Sequence, residues 1–394
     1  MANTWSIDQV STVLREVLKQ AEGAENVAAL DTNQLLTLGE TAIHTPKKDA
    51  VMNAITQVIT RTIFSSRKYD RKFKSMMKNE SEWGNMVRKI VSLDDNGDLV
   101  NNESYNLTDG TSVDPFIVTK PKVAQFNFVG QMTYELRKTI FDTQLNTAFN
   151  SIADFSAFIA MVFTYVDNKI EKIHEETARA CLSGFIASKV TSDTTNVIHL
   201  VSEYKTLIGQ SAYTLADLMK PENFGSFMKW VYARMETVSN MMTEYSNKFH
   251  KNLTAGNIMR HTPKALQDFY VYAPVFYEVT DRVLADTYHE SFLRLADSVE
   301  MVNFWQSIDT PDTINVTTPE YINNEGAIVT AGTDVNQANV FAVICDREAM
   351  GYSPILERVK SIYNPRGEYT NWFWKFNERT YRDESENFVV FLLD

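Results

Sequence analysis

One segment sets the scale of any fold this chain can adopt. From Ser151 to about Lys189, apolar residues including Phe155, Phe158, Ile159, Val162, Val166, Ile170, Ile173 and Cys181 recur at helical spacing. At 1.5 Å per residue such a helix is roughly 60 Å long, more than a compact domain needs. The 394 residues, 44 % apolar and 22 % charged, have the composition of a folded globular protein. At roughly 100–200 residues per domain, that length suggests two or three compact units.

Before the long helix the chain changes character twice. Ser6 to Gly23 reads as a helix, with Ser6 and Gln9 forming a capping box, and a second helix starts at Thr45-Pro46. This arm has too little core to stand alone. Residues 61–89 then carry nine basic residues against three acidic ones. Such a tract suits either a contact with phosphates or an acidic neighbouring subunit, or a solvated arm. Met86–Leu93 reads as a strand, Asp94–Gly97 as a hairpin turn, and Asp98–Asp114 as a polar stretch. The return alternates cleanly: Phe126, Phe128, Met132, Tyr134 and Leu136 share one face. An isolated two-stranded ribbon is marginal in water, so its apolar face needs something to cover it, such as another chain.

Beyond the long helix, Glu222–Lys248 is helical, with a stripe holding Met228, Met235, Met241 and Met242 that reads as adaptable core. Asp268–Phe276 and Val299–Trp305 read as strands flanking a helix near Thr280–Ala296. Thr310–Asn339 reads as a loop or hairpin, and Asn339–Cys345 as a buried strand. The end reads as a meander of Leu356–Tyr363, Glu368–Tyr381 and Asn387–Leu393, with Trp372, Trp374 and Phe376 on one face.

Chemistry is hard to place. The Gly-rich phosphate loops, the nucleophile elbow and the C-x-x-C motif are all missing. Six histidines are scattered, and His174-Glu175-Glu176 lacks the second histidine of a zinc helix. Glu171, Glu175 and Glu176, with Lys169 and Lys172 beside them, read as a solvated, partly ion-paired face. Cys181 and Cys345 read as buried small hydrophobes. No catalysis, cofactor or metal is expected. The start MANTWSIDQV lacks a basic–apolar leader and no apolar window suits a membrane span, so neither secretion nor membrane insertion is expected. A net charge of −12 argues against tight, sequence-independent nucleic-acid binding as the main task.

The order of elements resembles the major capsid protein of tailed double-stranded DNA bacteriophages, with the α+β fold called Hong Kong 97-type. The resemblance rests on KPKVAQFNFVGQMTYELRKTIFDTQLNTAFNS leading into the helix at Ser151, and on the closing stretch from VFAVICDREAMGYSPILERVKSIYNPRGEYTNWFWKF to the end. It implies an N-terminal arm at 1–61 and a basic connector with an extended β loop at 62–136. It further implies a peripheral domain with the spine helix at 137–250, an axial domain at 251–339, and closing strands of the peripheral domain at 340–394. The expected function is a structural protein that self-assembles, as hexamers and pentamers, into an icosahedral head enclosing double-stranded DNA without sequence-specific binding. Scaffolding, portal and minor head proteins are the implied partners, and the virion, assembled in the host cytoplasm, is the implied location. Phe126, Phe128, Met132, Tyr134, Arg71, Lys72, Lys74 and Arg88 are the subunit-interface candidates. A cellular cargo shell of the encapsulin type and a soluble α/β enzyme are the alternatives.

Overall fold

The computed structural model describes residues 72–78, 87–93, 107–112, 114, 116, 118, 120–128, 132–141, 152–192, 195–254, 256–282, 298–323, 325–330 and 332–394. The two helices expected in the N-terminal arm and the turn at Asp94–Gly97 lie outside these residues. Strands β1 (Val87–Ser92), β2 (Val123–Phe128) and β3 (Met132–Phe141) precede helix α1 (Ile152–Ser192). Then come β4 (Val197–His199), α2 (Leu200–Ile208), α3 (Leu215–Leu218), α4 (Pro221–Met241), β5 (Gln267–Tyr272), α5 (Ala273–Arg282) and β6 (Ser298–Val302). Two short hairpin elements follow, with β7 (Ile314–Thr317), β8 (Tyr321–Ile322), β9 (Ile328–Val329) and β10 (Asp334–Gln337). The chain closes with β11 (Val340–Asp346), β12 (Met350–Asn364), β13 (Tyr369–Arg382) and β14 (Phe388–Leu392).

The core is a five-stranded sheet in the order β4-β14-β11-β5-β6. Every residue of β11 and β14 is buried, as expected for strands covered on both faces. The alternation of side chains divides two clusters. Phe269, Val271, Ile344, Val389 and Phe391 meet the helical layer at Phe227, Met228, Val231 and Met235. Tyr270, Val343, Cys345, Phe388 and Val390 meet α1 at Leu182, Phe185 and Ile186. Phe185 stacks on Phe388 with ring centroids 3.9 Å apart. Met228, Met235 and Met242 of the methionine stripe are core, as expected, whereas Met241 is exposed.

A second sheet, ordered β12-β13-β3, lies on α1. Trp372, Trp374 and Phe376 of β13 are almost fully buried on one face. A polar group fastens this sheet to the helix: His174 pairs with Glu378, and Thr177 Oγ1 donates to Glu378 Oε2 at 2.8 Å. His174 also stacks on Tyr352, centroids 5.9 Å apart.

Several elements differ from the sequence reading. The expected two-stranded return divides: β2 pairs with β1, whereas β3 pairs with β13 more than two hundred residues later. The last strand, β14, leaves the meander and enters the five-stranded sheet. The strand expected at Asp268–Phe276 stops at Tyr272, and a helix begins at Ala273. Pro274 explains the switch: it fits a first helical turn but would remove a ladder bond from β5, which is paired on both sides. The loop or hairpin expected at Thr310–Asn339 is, in agreement with the reading, a pair of hairpins, β7 with β10 and β8 with β9. Glu171 and Glu175 are buried, at 5 % and 9 % exposure, and Glu175 accepts from Arg179 Nη2 at 2.7 Å. Only Glu176, 3.2 Å from Lys172, lies on the solvated face expected for all three.

The basic connector is also partly internal. Phe73 and Met76 are buried against Trp305, Tyr352 and the α1 cluster. The Phe73 amide donates to Glu300 and the Lys72 amide to Glu175 at 3.4 Å. Phe73 adopts φ 61°, an uncommon conformation for a bulky side chain that the surrounding contacts must hold. Replacing Phe73 by Ala is expected to cost about 3–4 kcal/mol in chemical denaturation. A loss below about 0.5 kcal/mol, the usual surface effect, would show that this segment is not core.

Candidate functional site: the tethered ribbon

β1 and β2 form an antiparallel ribbon registered from Val87↔Phe128 to Ser92↔Val123. Period-two alternation gives it two faces. The inner face, Lys89 and Val91 opposite Phe126 and Ala124, lies on the chain's own core, where Val91 and Leu93 cluster with Ile258. Phe126, Ala124 and Leu253 complete that small cluster. The outer face carries Arg88, Ile90, Val123, Gln125 and Asn127, all exposed.

Lys89 is the fastening. Its ammonium pairs with Asp383 and Glu386 in the turn between β13 and β14. Arg260 Nε reaches Glu386 Oε1 at 3.2 Å. The same turn ties in other segments: the Ile322 amide donates to Glu384 Oε2 at 2.8 Å, and the Lys251 amide donates to the Glu384 carbonyl at 2.8 Å. Burial raises the Glu386 carboxyl above the usual carboxylate range, and Lys89 pulls it back. A cleft of about 470 Å³ opens beside this turn, between β2, the β8–β9 hairpin and the end of β13.

The expected interface residues separate into two groups. Phe126 is half-buried in the ribbon cluster, Phe128 lies 5.7 Å from the Tyr381 ring, and Tyr134 lies 5.6 Å from the Phe376 ring. These three therefore pack within their own chain. Met132 is exposed and accepts from the Tyr134 hydroxyl at Sδ, 3.2 Å away. Lys72, Lys74 and Arg88 are exposed, and Arg71 lies outside the described residues. Phe126 and Phe128 belong to the ribbon, whereas Met132 and Tyr134 belong to the three-stranded sheet.

Sequence reasoning missed Lys89 as an individual residue and the outward apolar set. Ile90 is 64 % exposed, Val123 63 %, Phe116 84 % and Val118 78 %. Phe116-Ile-Val118 is an apolar triplet at the end of a polar stretch, and that contrast was the available signal. Among the described residues no group of three or more His, Cys, Asp or Glu is placed to hold a metal ion, and no helix is long and apolar enough to cross a membrane.

A spine helix crossing between a five-stranded core and a long-stranded sheet, with a tethered ribbon, defines the Hong Kong 97-type fold of phage capsid proteins. The capsid of Staphylococcus phage Andhra has this fold at a TM-score of 0.54 and 12 % identity, covering 83 % of this chain and 86 % of that one. A structure of head fiber and inner core protein gp22 of native bacteriophage P68 matches at 0.55 and 12 %, covering 84 % and 87 %. No curated protein sequence matches the chain. Residues 11–392 match the family model of the Phi29-like phage major capsid protein, and the chain belongs to that family. It is a major capsid protein of a phage head, a structural role, which favours the phage head over the cellular-shell alternative.

Removing Lys89 tests the fastening. In Lys89→Met, Glu386 loses its strongest ion-pairing partner, and its carboxyl rises further. The folded chain then keeps a proton that the unfolded chain releases above about pH 4.5, so stability falls as pH rises through that window. Urea denaturation is expected to find the variant close to wild type near pH 4 and about 3 kcal/mol weaker at pH 7. Equal losses at both pH values would contradict the ion-pair account.

Proposed function

We propose that copies of this chain assemble as hexamers and pentamers into an icosahedral shell around double-stranded DNA, and that the outer ribbon face and loop tip form the contact between copies. The observation that carries this reading is the exposure of Phe116, Val118, Ile90 and Val123 on a loop whose inner face is already satisfied by its own core. Apolar groups left on the outside of a tethered loop gain free energy only by lying on something else, and in a shell the neighbour is always present. Many such contacts, each modest, add up by multivalency.

Within this reading the candidate interface residues have different tasks. Met132, Lys72, Lys74, Arg88 and Arg71 meet the neighbour, whereas Phe126, Phe128 and Tyr134 hold the ribbon and sheet at the angle that presents them. The division into arm, extended loop, peripheral and axial parts is kept as a proposal. The boundary at residue 339 falls between β10 and β11, and β5, β6, β11 and β14 lie in one sheet, so the axial and peripheral parts share that sheet as a common wall. Scaffolding, portal and minor head proteins are the further partners, with assembly in the host cytoplasm. The net charge of −12 suits a shell that encloses DNA without gripping it.

The test is Phe116→Asp combined with Val118→Asp. Both residues are exposed, so the change in folding stability is expected within about 0.5 kcal/mol. Particle formation, followed by sedimentation velocity and negative-stain electron microscopy, is expected to need at least about tenfold more protein, the equivalent of about 1.4 kcal/mol per contact. Normal assembly of the double variant would overturn the loop assignment.

A further inference from the structure

The outward face of the three-stranded sheet breaks a folding rule. Cross-strand register places Arg358 directly opposite Lys375, which faces Glu135 in the next strand. The adjacent row reads Lys360, Phe373, Arg137. Lys375 Nζ lies 3.1 Å from Glu135 Oε2, and Arg137 also pairs with Glu135. These two rows therefore carry four cations and a single carboxylate, and Arg358 and Lys360 are exposed. Like charges directly opposite each other in a sheet lower its stability, so folding alone does not account for this arrangement.

The opposite charge lies elsewhere in the same chain. Between Arg294 and Arg347 the sequence holds eight acidic residues and no lysine or arginine. Much of this stretch folds as the lobe of two hairpins, β7–β10 and β8–β9, joined where the Thr318 amide donates to the Thr333 carbonyl at 2.8 Å. Asp309, Glu325 and Asp334 are exposed on it, together with Ile308 at 75 % and Ile328 at 63 %. The sheet face offers a matching apolar element in Ile362, exposed at 62 %.

We infer that the outward face of the three-stranded sheet docks the acidic hairpin lobe of a second copy of this chain. The inference rests on the self-assembly of the chain and adds a contact separate from the ribbon. A subunit of net charge −12 repels its copies unless complementary patches meet, and each copy brings one patch of either sign. Because the two patches differ, the contact is head-to-tail, the kind that generates rings. Packaged DNA is the rival occupant, but four cations offer few phosphate contacts, and a like-charge sheet is not needed to hold them.

Three variants decide the matter under conditions in which the wild-type chain forms particles. In the first, Arg358→Glu and Lys360→Glu reverse the sheet face. In the second, Asp309→Lys, Glu325→Lys and Asp334→Lys reverse the lobe. The third combines all five changes. The first two are expected to melt no lower than wild type yet need at least tenfold more protein to form particles, and the third to recover at least half of that loss. Wild-type assembly by the first variant would overturn the inference, and reduced DNA content in its otherwise normal particles would assign the face to DNA. Failure of the combined variant to recover, with folding intact, would also overturn it by pointing to another occupant.

Discussion

The rest of the molecule depends on one strand buried on every side. β11 pairs with β14 on one edge and β5 on the other, and all seven of its residues are buried. Its alternate side chains feed two separate cores, one beneath the helical layer and one beneath α1. An α-helix of 41 residues, about 60 Å, cannot be stabilised by its own propensity, and it is held because the sheet supplies a continuous apolar wall along its second half. Once the helix is fixed, it becomes the floor for the three-stranded sheet, through the His174–Glu378–Thr177 group and the buried Trp372–Trp374 pair.

From that frame the chain projects material that it does not need for its own core. The ribbon is clamped on its inner face by Lys89 and the Asp383–Glu386 turn, and its outer face leaves Ile90 and Val123 exposed among polar residues. The hairpin lobe bears exposed Asp309, Glu325 and Asp334 and no lysine or arginine, and the long-stranded sheet is basic on its outer side. A monomeric enzyme gains nothing from such surfaces. In the proposed assembly they are the means of association, with neighbours supplying both the apolar cover and the opposite charge.

Much of this architecture was legible locally. The long helix, the methionine core stripe of α4, the buried strand at β11 and the alternation of Trp372, Trp374 and Phe376 all follow from periods of 3.6 or 2. What was not legible was partnership. The alternating residues from Gln125 to Leu136 look continuous, yet β2 and β3 join different sheets because their partners lie far apart in sequence. The same limit hid Lys89, one cation among nine in the connector, whose significance depends on a turn nearly three hundred residues away. Phe73 and Glu175 look like surface residues in a charged context, and only the docking of the connector onto α1 buries them. Asp268–Phe276 failed for a different reason: strand-forming side chains outweighed Pro274, whose covalent constraint ends the strand.

The central claim is that the ribbon is satisfied on one side within the subunit and completed on the other by a neighbour. Amide hydrogen exchange, compared between assembled particles and the dissociated chain, tests it most directly. The account predicts that residues 107–118 and the β2 strand gain protection only in particles, while β11 is equally protected in both states. Equal exchange of the loop in the two states would contradict it.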